Sequence, residues 1–102
     1  MKINGKDYNL KFTGLTLVIY KEEFHKDFLS IITGLDKAIA DNTTLFEITW
    51  ALIKTCDDSI PSFREWCNEV TDVTEIISKE GLTEIIKAIN HDADATVEIK
   101  KN

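Results

Sequence analysis

No stretch of this chain is apolar for anything near the ~20 residues that cross a bilayer as a helix. The longest apolar run, Leu15 to Tyr20, is already broken at Thr16, which excludes a membrane-spanning reading. A secretory leader is missing too, because Met1-Lys2-Ile3 leads straight into a turn without an apolar core or a small-residue cleavage site. The expected compartment is therefore the cytosol. Cations are scarce: 12 Lys and Arg face 18 Asp and Glu, a net charge of −6. No basic stripe interrupts that surface, which repels phosphate backbones and excludes nucleic acid as a partner. Cysteine is sparse, with Cys56 and Cys67 eleven positions apart, no C-x-x-C and no histidine nearby. In a cytosolic chain this argues against a disulfide, and both are expected to be small buried hydrophobes.

The usual signatures of catalysis are also missing. The chain has neither a glycine-rich phosphate loop nor a nucleophile elbow. Its two histidines, His25 and His91, lie in polar, turn-like contexts without a local partner of the kind a metal site or dyad shows. Asn90-x-Asp92-x-Asp94-x-Thr96 has the start of a calcium loop, but the sixth position is Ala95 and the twelfth Lys101, where glycine and a bidentate glutamate are needed. Asp57-Asp58 follows a helix, at the end of the dipole that disfavours carboxylates, and reads as a solvated turn. The expectation is a non-catalytic protein with no cofactor and no metal.

What is present, at 102 residues, is one domain's worth of chain, with an ordinary apolar fraction of 43%. Asn4-Gly5 is the strongest two-residue hairpin signal. It pairs Ile3 with Lys6 and Met1 with Tyr8, and places Met1, Ile3, Tyr8, Leu10 and Phe12 on one face. A second strand running to Phe12 would outlast the first, and Thr96-Val97-Glu98-Ile99-Lys100 alternates suitably to pair with Asn9–Thr13. After Thr13-Gly14 the period becomes helical at Leu17, Tyr20 and Phe24. Asp27 is placed to cap a helix carrying Phe28, Ile31, Ile32, Leu35, Ala38 and Ile39, with Gly34 inside it at some cost. Thr44-x-x-Glu47 reads as a capping box that opens the next helix. That helix is apolar nearly all round, so it is either central to the core or covered by a partner. Ser62-x-x-Glu65 reads as a second capping box, presenting Phe63, Trp66, Cys67 and Val70. The last helix, about Val73 to Asn90, slips by one position across Gly81, which predicts a kink or two shorter helices.

The fold class expected is α+β, mainly α. A short N-terminal β-hairpin, with 96–100 as a candidate third strand, precedes a bundle of about five helices. The whole forms a single domain, 1–102, with a looser segment from about residue 91.

The densest segment is Trp50 to Trp66, with both tryptophans, the sole proline and Asp57-Asp58. Trp50 and Trp66 are most simply core residues. Yet with Phe46 and Phe63 they form more bulk around one turn than a small domain easily hides, and an exposed member would anchor a partner. The expectation is that Phe63 and Trp66 are partly exposed with Trp50 beneath, and that Phe46, Trp50, Ile60, Phe63 and Trp66 make the partner-binding site.

The order of these pieces matches a known pattern: M-K-I-N-G-K-x-Y from Met1, L-x-F from Leu10, Y-K-E-E-F-x-K-D from Tyr20, W-A-L-I-K-T-C-D-D from Trp50 and I-P-S-F-R-E-W from Ile60. Over roughly residues 1 to 90 the chain resembles the tail assembly chaperones of long-tailed bacteriophages and prophages of Gram-positive bacteria. Between Phe24 and Lys26 that family commonly has glycine, where this chain has His25. The resemblance implies a non-catalytic protein of the host bacterial cytoplasm that coats the aggregation-prone tape measure protein during tail assembly and is absent from the finished virion. It further implies a longer, frameshifted form through which the major tail protein could be engaged, and self-association along a filamentous client. A different class, a small prophage-encoded inhibitor docking on one host protein, would use the same acidic surface and aromatic cluster. The frameshift expectation falls on Lys100-Lys101, whose codons can supply a run of adenines. The gene should show an A-rich slippery run there with an open downstream frame; an uninterrupted stop in that frame would remove the longer product.

Overall fold

Asn4 and Gly5 both take positive φ, 56° and 79°, as a type I′ turn requires, and β1 (Lys2–Ile3) and β2 (Lys6–Asp7) close around them. Lys2 pairs with Asp7 and Ile3 with Lys6. The computed structural model describes residues 1–90, so the proposed pairing of 96–100 and the segment beyond residue 90 lie outside the described residues. Tyr8 N–H donates to Met1 O at 2.7 Å, which keeps the expected register. The second strand, however, ends at Asp7 rather than at Phe12. Beyond it the chain stays extended without a ladder, and Lys11 N–H instead donates to Leu52 O at 3.3 Å. The alternation of faces survives: Ile3 is buried, Tyr8, Leu10 and Phe12 are half-buried, and Lys2, Asp7, Asn9 and Lys11 are exposed. Packing against helices, not strand pairing, keeps these apolar residues inward.

Seven helical segments follow among the described residues. α1 (Gly14–Phe24) opens on Thr13, whose hydroxyl accepts from Leu15 N–H while Thr16 Oγ1 accepts from Thr13 N–H. It closes on His25, which takes the left-handed conformation, φ 58°; this is a position where glycine carries no Cβ penalty. α2 (Phe28–Thr33) and α3 (Leu35–Ala40) replace the single helix expected there. The break falls at Gly34, so the cost of glycine within a helix is avoided by ending the helix. Asp27 occupies the cap position as expected, but its carboxylate accepts from the Ser30 hydroxyl at 2.8 Å, not from a backbone amide.

α4 (Asn42–Cys56) is the axis of the fold. Leu45, Ile48, Trp50, Ala51, Leu52 and Ile53 are all buried, and the helix packs against α1, α3, α5 and α6. Of the two readings open to an all-apolar helix, the central one holds. Its cap differs from expectation: Asp41 Oδ1 accepts from Thr43 N–H at 3.0 Å and Thr44 N–H at 3.3 Å. Thr44-x-x-Glu47 is not the capping box, because the cap lies three residues earlier at Asp41 and Glu47 turns inward. Cys56, at the end of α4, is exposed rather than buried, while Cys67 is half-buried; the apolar neighbours of Cys56 in sequence lie on other sides of the helix.

α5 (Phe63–Glu69) is capped by Ser62, as expected; Glu65 Oε1 meets the Ser62 hydroxyl at 3.1 Å instead of returning to the backbone. The last expected helix is two, α6 (Thr74–Ile77) and α7 (Lys79–Asn90). They part at Ser78, whose Oγ accepts from Gly81 N–H at 3.2 Å. Gly81 has a different duty: a Cβ there would lie 2.3 Å from Ile76 O and 2.6 Å from Glu75 O. The sequence slip read at Gly81 thus marks a close approach of α7 to α6, with the break three residues earlier.

Far-apart pieces are joined at the hairpin tip. Asn4 N–H donates to Glu75 Oε1 at 2.8 Å, Asn4 Nδ2 donates to Glu69 O, and Asn4 Oδ1 accepts from the Thr71 hydroxyl at 3.3 Å. The Met1 ammonium donates to Tyr8 O at 2.8 Å and lies 3.0 Å from Glu84 Oε1 on α7.

Two glycines should respond oppositely to alanine. At Gly81 the added methyl meets backbone, so Gly81→Ala should cost about 2–3 kcal/mol of stability, the range of overpacking that the chain cannot relieve by a rotamer change. At Gly34 a Cβ meets nothing within 4 Å, and Gly34→Ala should leave stability unchanged or raise it by about 0.5 kcal/mol. Urea midpoints at constant m-value measure both.

Candidate binding groove

The aromatic residues form a ladder rather than a patch. Phe24 lies 4.9 Å from Phe63 with the rings perpendicular and 5.7 Å from Trp50. Phe63 and Trp50 are 6.0 Å apart, edge to face. These are the separations at which ring quadrupoles favour tilted pairs. Trp50 Nε1–H donates to Pro61 O at 3.0 Å, which fixes the turn between α4 and α5, and Lys54 Nζ lies 5.6 Å above its ring. Trp50 is only 2% exposed, as expected of a residue beneath the turn.

Trp66 departs from expectation. It is 1% exposed and packs 6.1 Å from the half-buried Phe46, so it belongs to the core and not to a surface patch. Among the described residues its buried Nε1–H has no hydrogen-bond partner. Phe63, the first residue of α5, stays half-buried beside Phe24 and Trp50, whereas Trp66, three residues on, packs against Phe46 of α4. Ile60 is likewise buried. Of the five expected site residues, Phe46 and Phe63 retain accessible surface; Trp50, Ile60 and Trp66 do not.

Phe46 and Phe63 instead form opposite walls of an open groove of about 300 Å³. Asn42 and Thr43 at the start of α4, Cys67 on α5, and Val73 and Ile77 at α6 complete it. No lining residue is charged. Val73, which immediately precedes α6, is 45% exposed. Sequence reasoning did not assign Cys67, Val73 or Ile77 to a site. No spacing signal sets Val73 apart, since it lies in phase with Ile76 and Ile77 at three and four residues. Two exposed carboxylates directly precede lining residues, Asp41 before Asn42 and Asp72 before Val73. Asp72 Oδ1 accepts from Thr74 N–H at 3.1 Å. Burial pushes the Cys67 thiol above its ordinary range, and the charge of Glu47 adds to the effect.

Behind this wall α4 carries one charge into the interior. Glu47 is 7% exposed, accepts from the Tyr20 hydroxyl at 2.9 Å, and meets Lys26 Nζ at 3.2 Å and 3.5 Å through its two oxygens. Tyr20 is fully buried, and desolvation, together with the bond to Glu47 and its negative charge, raises the phenol well above its ordinary pKa. Among the described residues, no group of three or more His, Cys, Asp or Glu side chains is placed to hold a metal ion, and no helix is long and apolar enough to cross a membrane. A second hollow, of about 410 Å³, lies between residues 8–13 and α7, but Lys11, Glu84 and Lys87 line it. In comparisons with known proteins, no family model, no curated protein and no solved structure matches this chain.

Two outcomes follow from the Tyr20–Glu47–Lys26 contact. Glu47→Ala strands the buried phenol, whose lost partner costs about 1–3 kcal/mol, and leaves a cavity. We expect a total of about 3 kcal/mol, against about 1 kcal/mol for Glu47→Gln, whose amide oxygen still accepts from Tyr20 while the half-exposed Lys26 turns to water. The second outcome concerns alkaline pH. With its folded pKa raised, Tyr20 stays protonated in the native state while the unfolded chain loses that proton above about pH 10. Its stabilising share is intact below that pH and declines as pH rises beyond it. Thermal midpoints at pH 9 and 11 should fall further in the native chain than in Tyr20→Phe; equal falls would show that Tyr20 is not the titrating group.

Proposed function

We propose that this chain is a non-catalytic binding protein, a tail assembly chaperone of a long-tailed bacteriophage or prophage. It holds apolar helical segments of the tape measure protein in solution until tail tube subunits assemble around them. The observation that carries the reading is the uncharged groove between Phe46, Phe63, Cys67, Val73 and Ile77, open on a domain of net charge −6. A groove of this size accepts the anchor side chains of one amphipathic helix, spaced at i, i+3, i+4 and i+7. The acidic exterior keeps the loaded complex soluble and keeps neighbouring copies apart from nucleic acid. The motifs from Met1, Leu10, Tyr20, Trp50 and Ile60 give the resemblance that names the client. In this reading the protein acts in the host bacterial cytoplasm, several copies line one client, and a frameshifted longer form reaches the major tail protein.

The test is co-expression with the tape measure protein encoded beside this gene. The native chain should keep that client in the soluble fraction. Val73→Glu places a charge in the groove at a residue already half in water, so the circular dichroism spectrum and thermal midpoint should stay within error. Soluble client should drop at least fivefold. Full solubilisation by Val73→Glu would move the binding surface elsewhere, and no solubilisation by the native chain would end the chaperone reading.

A further inference from the structure

The groove's walls and its edges differ in a way that specifies an occupant. The lining carries no charge, whereas the residues directly before Asn42 and Val73 are carboxylates that accept from nearby backbone amides. Asp41 Oδ1 is anchored by Thr43 N–H and Thr44 N–H, and Asp72 Oδ1 by Thr74 N–H. Both side chains belong to exposed residues, and among the described residues neither forms an ion pair, since the three pairs present involve Glu84, Glu47 and Asp58. The arm that forms one wall, residues 62–78, has one cation, Arg64, against four carboxylates, Glu65, Glu69, Asp72 and Glu75. Of these, Glu75 is occupied by the Asn4 backbone.

We infer that the groove takes an amphipathic helix whose apolar anchors are flanked on both sides by Lys or Arg, and that Asp41 and Asp72 select it. This rests on the groove reading above and adds the charge pattern of the partner. Apolar side chains fill the uncharged walls. The flanking ammonium or guanidinium groups then reach carboxylates that are pre-positioned, so little side-chain entropy is lost on pairing. An acidic-flanked helix of equal hydrophobicity meets like charge at both edges, which repels it during encounter and in the complex.

Two synthetic helical peptides with the same Leu/Ile face, one flanked by Lys and one by Glu, test this against the full chain. By fluorescence anisotropy in about 50 mM salt, the Lys-flanked peptide should bind at least tenfold tighter. The gap should narrow severalfold in about 500 mM salt, where charges at the rim are screened. The groove is read directly by alkylation: bound peptide should protect Cys67, a lining residue, and leave the exposed Cys56 reactive. Asp41→Asn with Asp72→Asn keeps a side-chain oxygen at each position to accept from the backbone amides, as Asn does in place of Asp, and should bring the two peptides to equal affinity. Equal affinities for the native chain, or a preference that survives the double substitution, overturns the selection by Asp41 and Asp72. Binding that fails to protect Cys67, or no binding at all, overturns the helix as occupant. Client solubilisation and its loss in Val73→Glu are measured separately, so the chaperone reading stands or falls on its own result.

Discussion

A carboxylate carried into the middle of an otherwise apolar helix constrains everything around it. Glu47 sits one turn into α4, flanked by Phe46 and Ile48, and an unpaired charge there would cost several kcal/mol. Its partners come from one stretch of chain: the Tyr20 hydroxyl from α1 and Lys26 from the turn that follows. α1 must therefore lie against α4 with Tyr20 facing inward, and the chain must reverse tightly enough at His25 to bring Lys26 back. The left-handed backbone at His25 performs that reversal, tolerating a non-glycine residue where the geometry would suit glycine better. Phe24 and Phe28, on either side of the turn, then meet Tyr20 at 4.8 and 5.0 Å. The aromatic ladder is built on the same approach that satisfies the charge.

Much of this was legible in the sequence where a residue type admits one backbone answer. Asn4-Gly5 set the hairpin and its register, Thr13-Gly14 marked the change of period, and Ser62 opened α5. The nearly all-apolar character of α4 left two readings, a core axis or a face covered by a partner, and burial of Leu45, Ile48, Ala51 and Leu52 decides for the axis. Readings failed where the outcome depends on which way an element is turned. Glu47 three residues after Thr44 satisfies a local capping pattern, yet the competing claim of Tyr20 and Lys26, twenty-seven and twenty-one positions away, is invisible to local spacing. Phe63 and Trp66 share a side by period. Their different burial follows from tertiary neighbours, Phe24 and Trp50 for one and Phe46 for the other, which period does not reveal. The groove was harder still, since its walls come from three separate helix ends and its most exposed residue, Val73, belongs to a connection.

The groove also shows how a small domain can leave apolar surface open without losing its core. Two of its lining residues are anchored elsewhere: Phe63 is held by Phe24 and Trp50, Phe46 by Trp66. The groove therefore has its shape in the chain alone. Such preorganisation lowers the ordering cost of binding. Behind Phe46, the buried indole N–H of Trp66 has no acceptor among the described residues.

The hairpin tip has a bearing on the groove that distance would not suggest. Asn4 holds the connection from Glu69 to Glu75, the strand of chain from which Val73 projects, through bonds that span 65 to 71 positions. One wall of the groove is thus clasped by residues from the opposite end of the described chain. A two-stranded hairpin is too short to be stable alone; its tip is secured by the very connection it secures, so the N-terminus and that side of the groove share one set of hydrogen bonds.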